Sequence, residues 1–144
     1  MVNRKISVAI TILLITLISL TSFFAYKSST SDGFCLIPEN SDSFSCSAVQ
    51  NSEYSKLFGI KLYDFGKVCF SVLLIIYAIS KMKTKNKKIF SQLFVAATTI
   101  GAAFALYFLY IQAFILRTFC SNCLLIDGIA IIIFFLALAE YPSK

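Results

Sequence analysis

No histidine occurs among the 144 residues of this chain. Acid–base work therefore has no imidazole to draw on, and a reactive thiol here must be activated by lowering its own pKa. Charge is scarce too: charged residues make up 14% of the sequence against 58% hydrophobic ones, and the mean hydropathy is +0.83. A soluble core of this size cannot hide that much apolar surface, so the chain reads as an integral membrane protein. No internal repeat is present.

Four apolar stretches approach the roughly 20 residues that cross the hydrocarbon core. They cover about residues 6–26, 64–80, 89–116 and 120–139. The first exceeds the ~7–15-residue apolar region of a signal peptide and lacks a small-x-small cleavage site before Lys27, so it is expected to remain as a span. The second is the thinnest, clean only from Val68 to Ile79, and Lys67 must snorkel from its end.

Lysine and arginine collect in short cytoplasmic loops. Arg4 and Lys5 precede the first stretch, Lys144 ends the chain, and Lys81 to Lys88 holds five lysines in eight residues. Both termini and the 81–88 loop are therefore expected in the cytoplasm, with loop 27–63 outside. On this reading the net charge of +6 is a topology signal. A basic patch for nucleic acid or lipid is the competing use of the lysines, and the reading adopted expects lipid contact and no nucleic acid.

Loop 27–63 shifts to Ser, Asp, Asn and Gly, and its start, Lys27 to Gly33, reads as flexible coil. From Ser47 to Phe58 the pattern changes: Val49, Tyr54, Leu57 and Phe58 can share one side of a short amphipathic helix ended by Gly59. In the third span Ala97, Gly101 and Ala105 recur every four residues, which favours close approach of another helix. Phe104, Tyr107, Phe108 and Tyr110 follow, either as an interfacial aromatic belt or as rings lining a quinone pocket.

Five cysteines carry the chemistry. Cys120 and Cys123 stand three apart at the start of the fourth span, within reach of a disulfide. The helix N-terminus there carries partial positive charge that stabilises a thiolate, and Arg117 adds to it if it faces the sulfurs. Cys35 and Cys46 have ten residues between them; closing that ring stabilises the loop by about 3 kcal/mol in the chain-entropy model. The alternatives for the four are two structural disulfides or a four-thiolate zinc site, the latter disfavoured in an oxidising compartment. Cys69, inside the second span, reads as a small apolar packing residue.

Asp127 lies one turn below Cys123 on the same helix face. An acid at that depth is costly and calls for a partner or a chemical role. It is either a structural acid, protonated or paired with Lys67, or a proton donor to a reduced quinone.

A four-span chain with a cysteine pair in its first outer loop and a CxxC at the head of its last span resembles the vitamin K epoxide reductase family. The resemblance covers nearly the whole chain and rests on Cys46-Ser-Ala-Val-Gln-Asn-Ser52, Phe58-Gly59-Ile60 and Cys120-Ser-Asn-Cys123. DsbB-type quinone oxidoreductases also have four spans and two cysteine pairs, but their CxxC comes first in the chain. The resemblance implies an all-α fold, a single membrane domain over residues 1–144, built as a four-helix bundle with a short amphipathic helix in the first extracytoplasmic loop.

It also implies a relay in a bacterial inner membrane. A separate DsbA-type thioredoxin-fold protein attacks the loop disulfide at Cys35, the released Cys46 attacks Cys120, and the freed Cys123 passes electrons to a quinone, ubiquinone or menaquinone. Ser52, six residues after Cys46, takes the place of a family serine beside the quinone, with Asp127 near it and no metal bound. Two features depart from the family. Asp127 stands where vertebrate members that reduce vitamin K epoxide have tyrosine, which puts epoxide reduction in doubt, and the loop pair is spaced more widely than in many relatives. The competing class is a non-enzymatic membrane protein stapled by two structural disulfides. A transporter is weaker still, because one intramembrane acid is little for a polar path.

Overall fold

The computed structural model describes residues 2–30, 34–37, 43–82 and 85–141. Helix α1 covers Val2–Thr30, and a short helix α2, Cys46–Gln50, follows in the connecting loop. A 3-10 turn at Glu53–Ser55 leads into a small hairpin, β1 Lys56–Leu57 and β2 Ile60–Lys61. Three long helices complete the chain: α3 Leu62–Lys81, α4 Lys87–Tyr110 extended by a π-turn at Ile111–Ile115, and α5 Ser121–Glu140. Four segments are long and apolar enough to cross a membrane, Arg4–Thr30, Leu62–Lys81, Lys87–Ile115 and Ser121–Glu140. The chain is an all-α membrane bundle.

The helices close a ring in which α1 packs on α3, α3 on α4, α4 on α5 and α5 back on α1. Helix α1 buries Ile10, Leu14, Leu17, Thr21 and Phe24, spaced alternately by four and three residues. That seam lets side chains of one helix seat between those of its neighbours. Ile10, Leu14 and Leu17 meet Tyr77 of α3, Phe94 of α4, and Ile133 and Ala137 of α5 in the central core. At the end of the bundle away from the cysteines, Lys81 and the buried Glu140 form a salt bridge, and the Tyr77 hydroxyl donates to Glu140 Oε2 at 3.0 Å. This ties α3 to α5, and Ser7 Oγ, 2.9 Å from the same hydroxyl, brings in α1.

Three local expectations change. Lys27–Thr30 is helical rather than coil, because the Ser29 and Thr30 hydroxyls donate back to the carbonyls of Ala25 (3.0 Å) and Tyr26 (3.2 Å) and so fit inside the last turn. The loop helix is present but short. Beyond Gln50 the Ser52 hydroxyl takes the Val49 carbonyl (2.7 Å) and Ser55 the Ser52 carbonyl (2.8 Å), so the chain tightens and then reverses at Gly59 instead of continuing a helix to Phe58. Lys67 pairs with Asp64 at 3.5 Å and not with Asp127. Gly33, Pro38, Lys83 and Lys144 lie outside the described residues.

Candidate functional site

The site begins where α4 ends. Leu116 N–H donates to Ile111 O at 2.8 Å, the five-residue step of a π-turn, and Arg117 then takes φ 51°, which turns the chain out of the helix. The widened, underwound turn sets the buried Gln112 beneath the next segment, where its Oε1 accepts the Cys120 N–H at 2.8 Å. Phe119 then runs parallel to Phe44: its N–H donates to Ser43 O at 2.9 Å and its carbonyl accepts from Ser45 N–H at 3.2 Å. The segment leading to Cys46 is thereby fixed alongside the segment leading to Cys120.

Cys120 is the N-cap of α5, and its sulfur does what a Ser or Asp oxygen does at that position, accepting the Cys123 N–H at 3.4 Å. Cys120 and Cys123 are free thiols, and Cys120 is buried. A hydrogen bond from the Cys123 thiol brings Cys120 down to about 7, helped by the N–H groups of Cys123 and Asn122 and by the Tyr63 hydroxyl, against the opposing effect of burial. The thiolate is then a sizeable fraction near neutrality without histidine. Arg117 is exposed and is not among the groups acting on this sulfur.

Tyr63, at the start of α3, was not legible in the sequence. Its hydroxyl lies 3.6 Å from Cys123 Sγ and 3.8 Å from Cys120 Sγ, and it accepts Gln50 Nε2 at 3.2 Å. One phenol therefore connects both sulfurs to the end of the loop helix that starts with Cys46.

Cys35 and Cys46 are joined in a disulfide with Cα atoms 5.6 Å apart, so the four-thiolate zinc arrangement is not formed. Asn122, inside the CxxC, holds the Cys35 segment: its Oδ1 accepts Leu36 N–H at 3.0 Å and its Nδ2 donates to Phe34 O at 2.7 Å. The two residues flanking Cys35 are thus bonded to one buried amide. Cys46 is fully buried, with its sulfur 3.8 Å from Ser121 Oγ. The two cysteine pairs are docked on each other at the head of α5.

Beneath the thiols opens a cavity of about 460 Å³. Its polar end carries Gln50, Ser52, Tyr63, Gln112, Cys123 and Asp127; the rest is mostly apolar wall from α3 and α4. Ser52 and Asp127 therefore share one chamber with Cys123, while the buried Cys120 stands behind it. Along α3 the lining runs from Leu62 to Ile76, about 20 Å at 1.5 Å per residue. Val68, Val72, Ile100 and Phe104 line it yet remain exposed, so the chamber opens sideways between α3 and α4.

The small residues of α4 divide. Ser91, Thr98, Ala102 and Ala105 lie on the buried packing face, Ala105 also bordering the cavity, whereas Ala97 and Gly101 line the cavity, and a Cβ added at Gly101 meets nothing within 4 Å. The aromatic group divides: Phe104 and Phe108 line the chamber, while Tyr107 and Tyr110 are exposed outside it. Cys69 also faces the chamber instead of only filling a packing gap.

The sequence pattern described as "Vitamin K epoxide reductase family" matches residues 6–138. The chain belongs to the vitamin K epoxide reductase family. No individually curated protein matches it. Family membership makes it a membrane thiol oxidoreductase, of a kind generally linked to quinones and to thioredoxin-like partners. A quinone fits this family member's chamber on the chamber's own terms. Among the described residues, Gln50 Oε1 and Asp127 Oδ2 are buried there without a hydrogen-bond partner; as acceptors they suit the hydroxyls of the reduced ring, and the apolar walls suit the ring itself. Gln50, Tyr63, Gln112 and Asn122 are the site residues that sequence reasoning missed. Asn122 alone had a signal, its place inside the CxxC.

Proposed function

We propose that this chain oxidises an extracytoplasmic thioredoxin-fold dithiol and passes the electrons through its two cysteine pairs to a membrane quinone. The observation that carries the reading is the docking of a loop disulfide against a free CxxC pair whose inner thiol opens on a membrane-facing chamber. A partner thiolate attacks Cys35 and breaks its bond to Cys46; the partner's second thiolate releases Cys35 and closes the partner's disulfide. Cys46 thiolate then attacks Cys120 of an oxidised CxxC, freeing Cys123. Attack of Cys35 on Cys46 restores the loop disulfide and leaves Cys120 and Cys123 reduced, which is the redox state of the structure. A bound quinone supplies the acceptor for two electrons and two protons. Cys123, lining the chamber, is the thiol that faces it, and Cys120 closes the pair again.

Ser52, Gln50, Tyr63 and Asp127 orient the ring at the polar end, and the α3–α4 groove takes an isoprenoid tail. Gly101 keeps that groove open. Gly101→Leu is expected to raise the KM for a long-tailed quinone about tenfold, the effect of about 1–3 kcal/mol of overpacking, with little change for a tail-less analogue. Equal KM values for both would remove the tail from this groove.

Asp127 holds a proton at the chamber wall for the forming quinol. Asp127→Asn should slow quinol formation about 10²-fold, the low end for a lost general acid, without altering thiol–disulfide exchange between the pairs. An unchanged rate across pH would leave Asp127 as a packing acid.

The direct test mixes the purified chain with a reduced thioredoxin-fold protein and a short-chain quinone. Loss of quinone absorbance should match partner disulfide formed, one for one. If neither that protein nor a small dithiol drives quinone loss, the enzyme reading fails and two structural disulfides remain.

A further inference from the structure

The hairpin between the loop helix and α3 has a composition at odds with its turn. Lys56 pairs with Lys61 and Leu57 with Ile60, leaving Phe58 and Gly59 as the turn residues, with φ of 53° and 81°. Positive φ at both central positions is the type I′ geometry that Asn-Gly or Asp-Gly fills without strain. A bulky aromatic at the first position is a backbone outlier. Internal packing does not compensate, since Phe58 is 92% exposed. Ile60 is exposed beside it.

Charge is placed in a similar way. Lys56 and Lys61 face each other directly across the pair, both are exposed, and neither forms an ion pair among the described residues. Like charges in that register repel unless an anion lies between or beside them. The strand then enters α3 at Leu62, a segment long and apolar enough to cross a membrane, so the ring of Phe58 stands four residues from a span. Apolar tip, flanking lysines and an adjoining span are the arrangement of an interfacial insertion.

We propose that the 56–61 hairpin inserts into the leaflet at the cysteine-bearing end of the bundle, with Phe58 and Ile60 among the upper acyl chains and Lys56 and Lys61 on the phosphates of anionic lipids. The occupant of this surface is the bilayer, because the exposed ring and its two flanking lysines adjoin a segment long and apolar enough to cross a membrane. Insertion has a consequence for the site. Leu57 and Lys61 line the chamber and Tyr63 follows two residues later, so the lipid-held hairpin fixes one wall and the phenol beside the thiols.

The chain has no tryptophan, so Phe58→Trp places a single reporter at the tip. In vesicles of mixed phosphatidylglycerol and phosphatidylcholine, its emission should fall strongly with lipids brominated high on the acyl chain and little with aqueous iodide. The double variant Lys56→Gln, Lys61→Gln in the same background should become more open to iodide in anionic vesicles and lose any difference between anionic and zwitterionic ones. Strong iodide quenching with bromolipid sparing would place the tip in water and overturn the insertion. Identical behaviour of the lysine variant and its parent would overturn the lysine–phosphate part. Hydroxyl-radical labelling of Phe58 in the unsubstituted chain checks the reporter: strong labelling in vesicles contradicts the proposal, and suppressed labelling agrees with it.

Discussion

Cys123→Ala is expected to bring quinone reduction to background, a loss of at least about 10³-fold, whichever dithiol supplies the electrons. Cys123 is the CxxC sulfur that lines the chamber, whereas Cys120 is buried behind it and engaged as the cap of α5. With position 123 unable to form a bond, Cys120 also loses its resolving partner. A second substitution, Cys35→Ala, then removes the thiol that would rescue Cys46. In that double variant oxidation should collect the chain as a Cys46–Cys120 disulfide, because backbone hydrogen bonds of 2.9 and 3.2 Å already hold the segments leading to those residues side by side. Peptide mapping without reduction reads the bond directly. Dithiol-driven turnover surviving in Cys123→Ala would place the exit to quinone elsewhere. Absence of the 46–120 link would break the relay between the pairs.

Asn122→Ala should lower turnover with a protein dithiol about 10- to 100-fold while leaving a small dithiol, which reaches the chamber thiol without the loop, nearly as effective. The side chain is buried and bonds both neighbours of Cys35. Alanine removes the bonds to Leu36 N–H and Phe34 O, both part-buried, at roughly 0.5–1.5 kcal/mol each. The loop then spends more time undocked, and transfer from Cys46 to Cys120 is the step that suffers. Asn122→Asp keeps an acceptor for Leu36 N–H but loses the donor to Phe34 O, so it should fall between alanine and the native chain. Equal losses with protein and small dithiols would mean that Asn122 acts on the start of α5 itself, and the clamp would be discarded.

The structural disulfide alternative makes the opposite prediction for both variants. Cys123→Ala would change stability and leave no redox activity to lose. The wide spacing of the loop pair, set against the family in the sequence, has a physical setting in the structure: the Cys35 segment is held by the amide of Asn122 and the Cys46 segment by Phe119. Two separate anchorages, one for each cysteine, position a disulfide whose intervening loop has no need to be short.

Legibility followed distance along the chain. The four spans were readable because hydropathy adds up residue by residue, and the CxxC at a helix start because positions 120 and 123 are neighbours on one turn. Asp127 could be placed one turn below Cys123 for the same reason, and it does share the chamber with that thiol. Ser52 came from family resemblance, and its hydroxyl lines the chamber while donating to Val49 O at 2.7 Å. The coil at Lys27–Thr30 and the long loop helix failed on a narrower point. Serine and threonine hydroxyls can either extend a helix by bonding backwards or end one, and composition does not say which.

The sequence by itself determined that this is a four-span membrane chain with a thiol pair capping its last helix, since apolar length and i, i+3 spacing are local properties that no neighbour overrides. Only the tertiary structure decided that Tyr63 joins both sulfurs to Gln50, that Gln112 and Asn122 hold the two cysteine-bearing segments, and that Gly101 faces empty space rather than a helix. Each of those contacts depends on which helix lies opposite and at what height. That is set by the closing of the whole ring of helices, a quantity that no window of sequence contains.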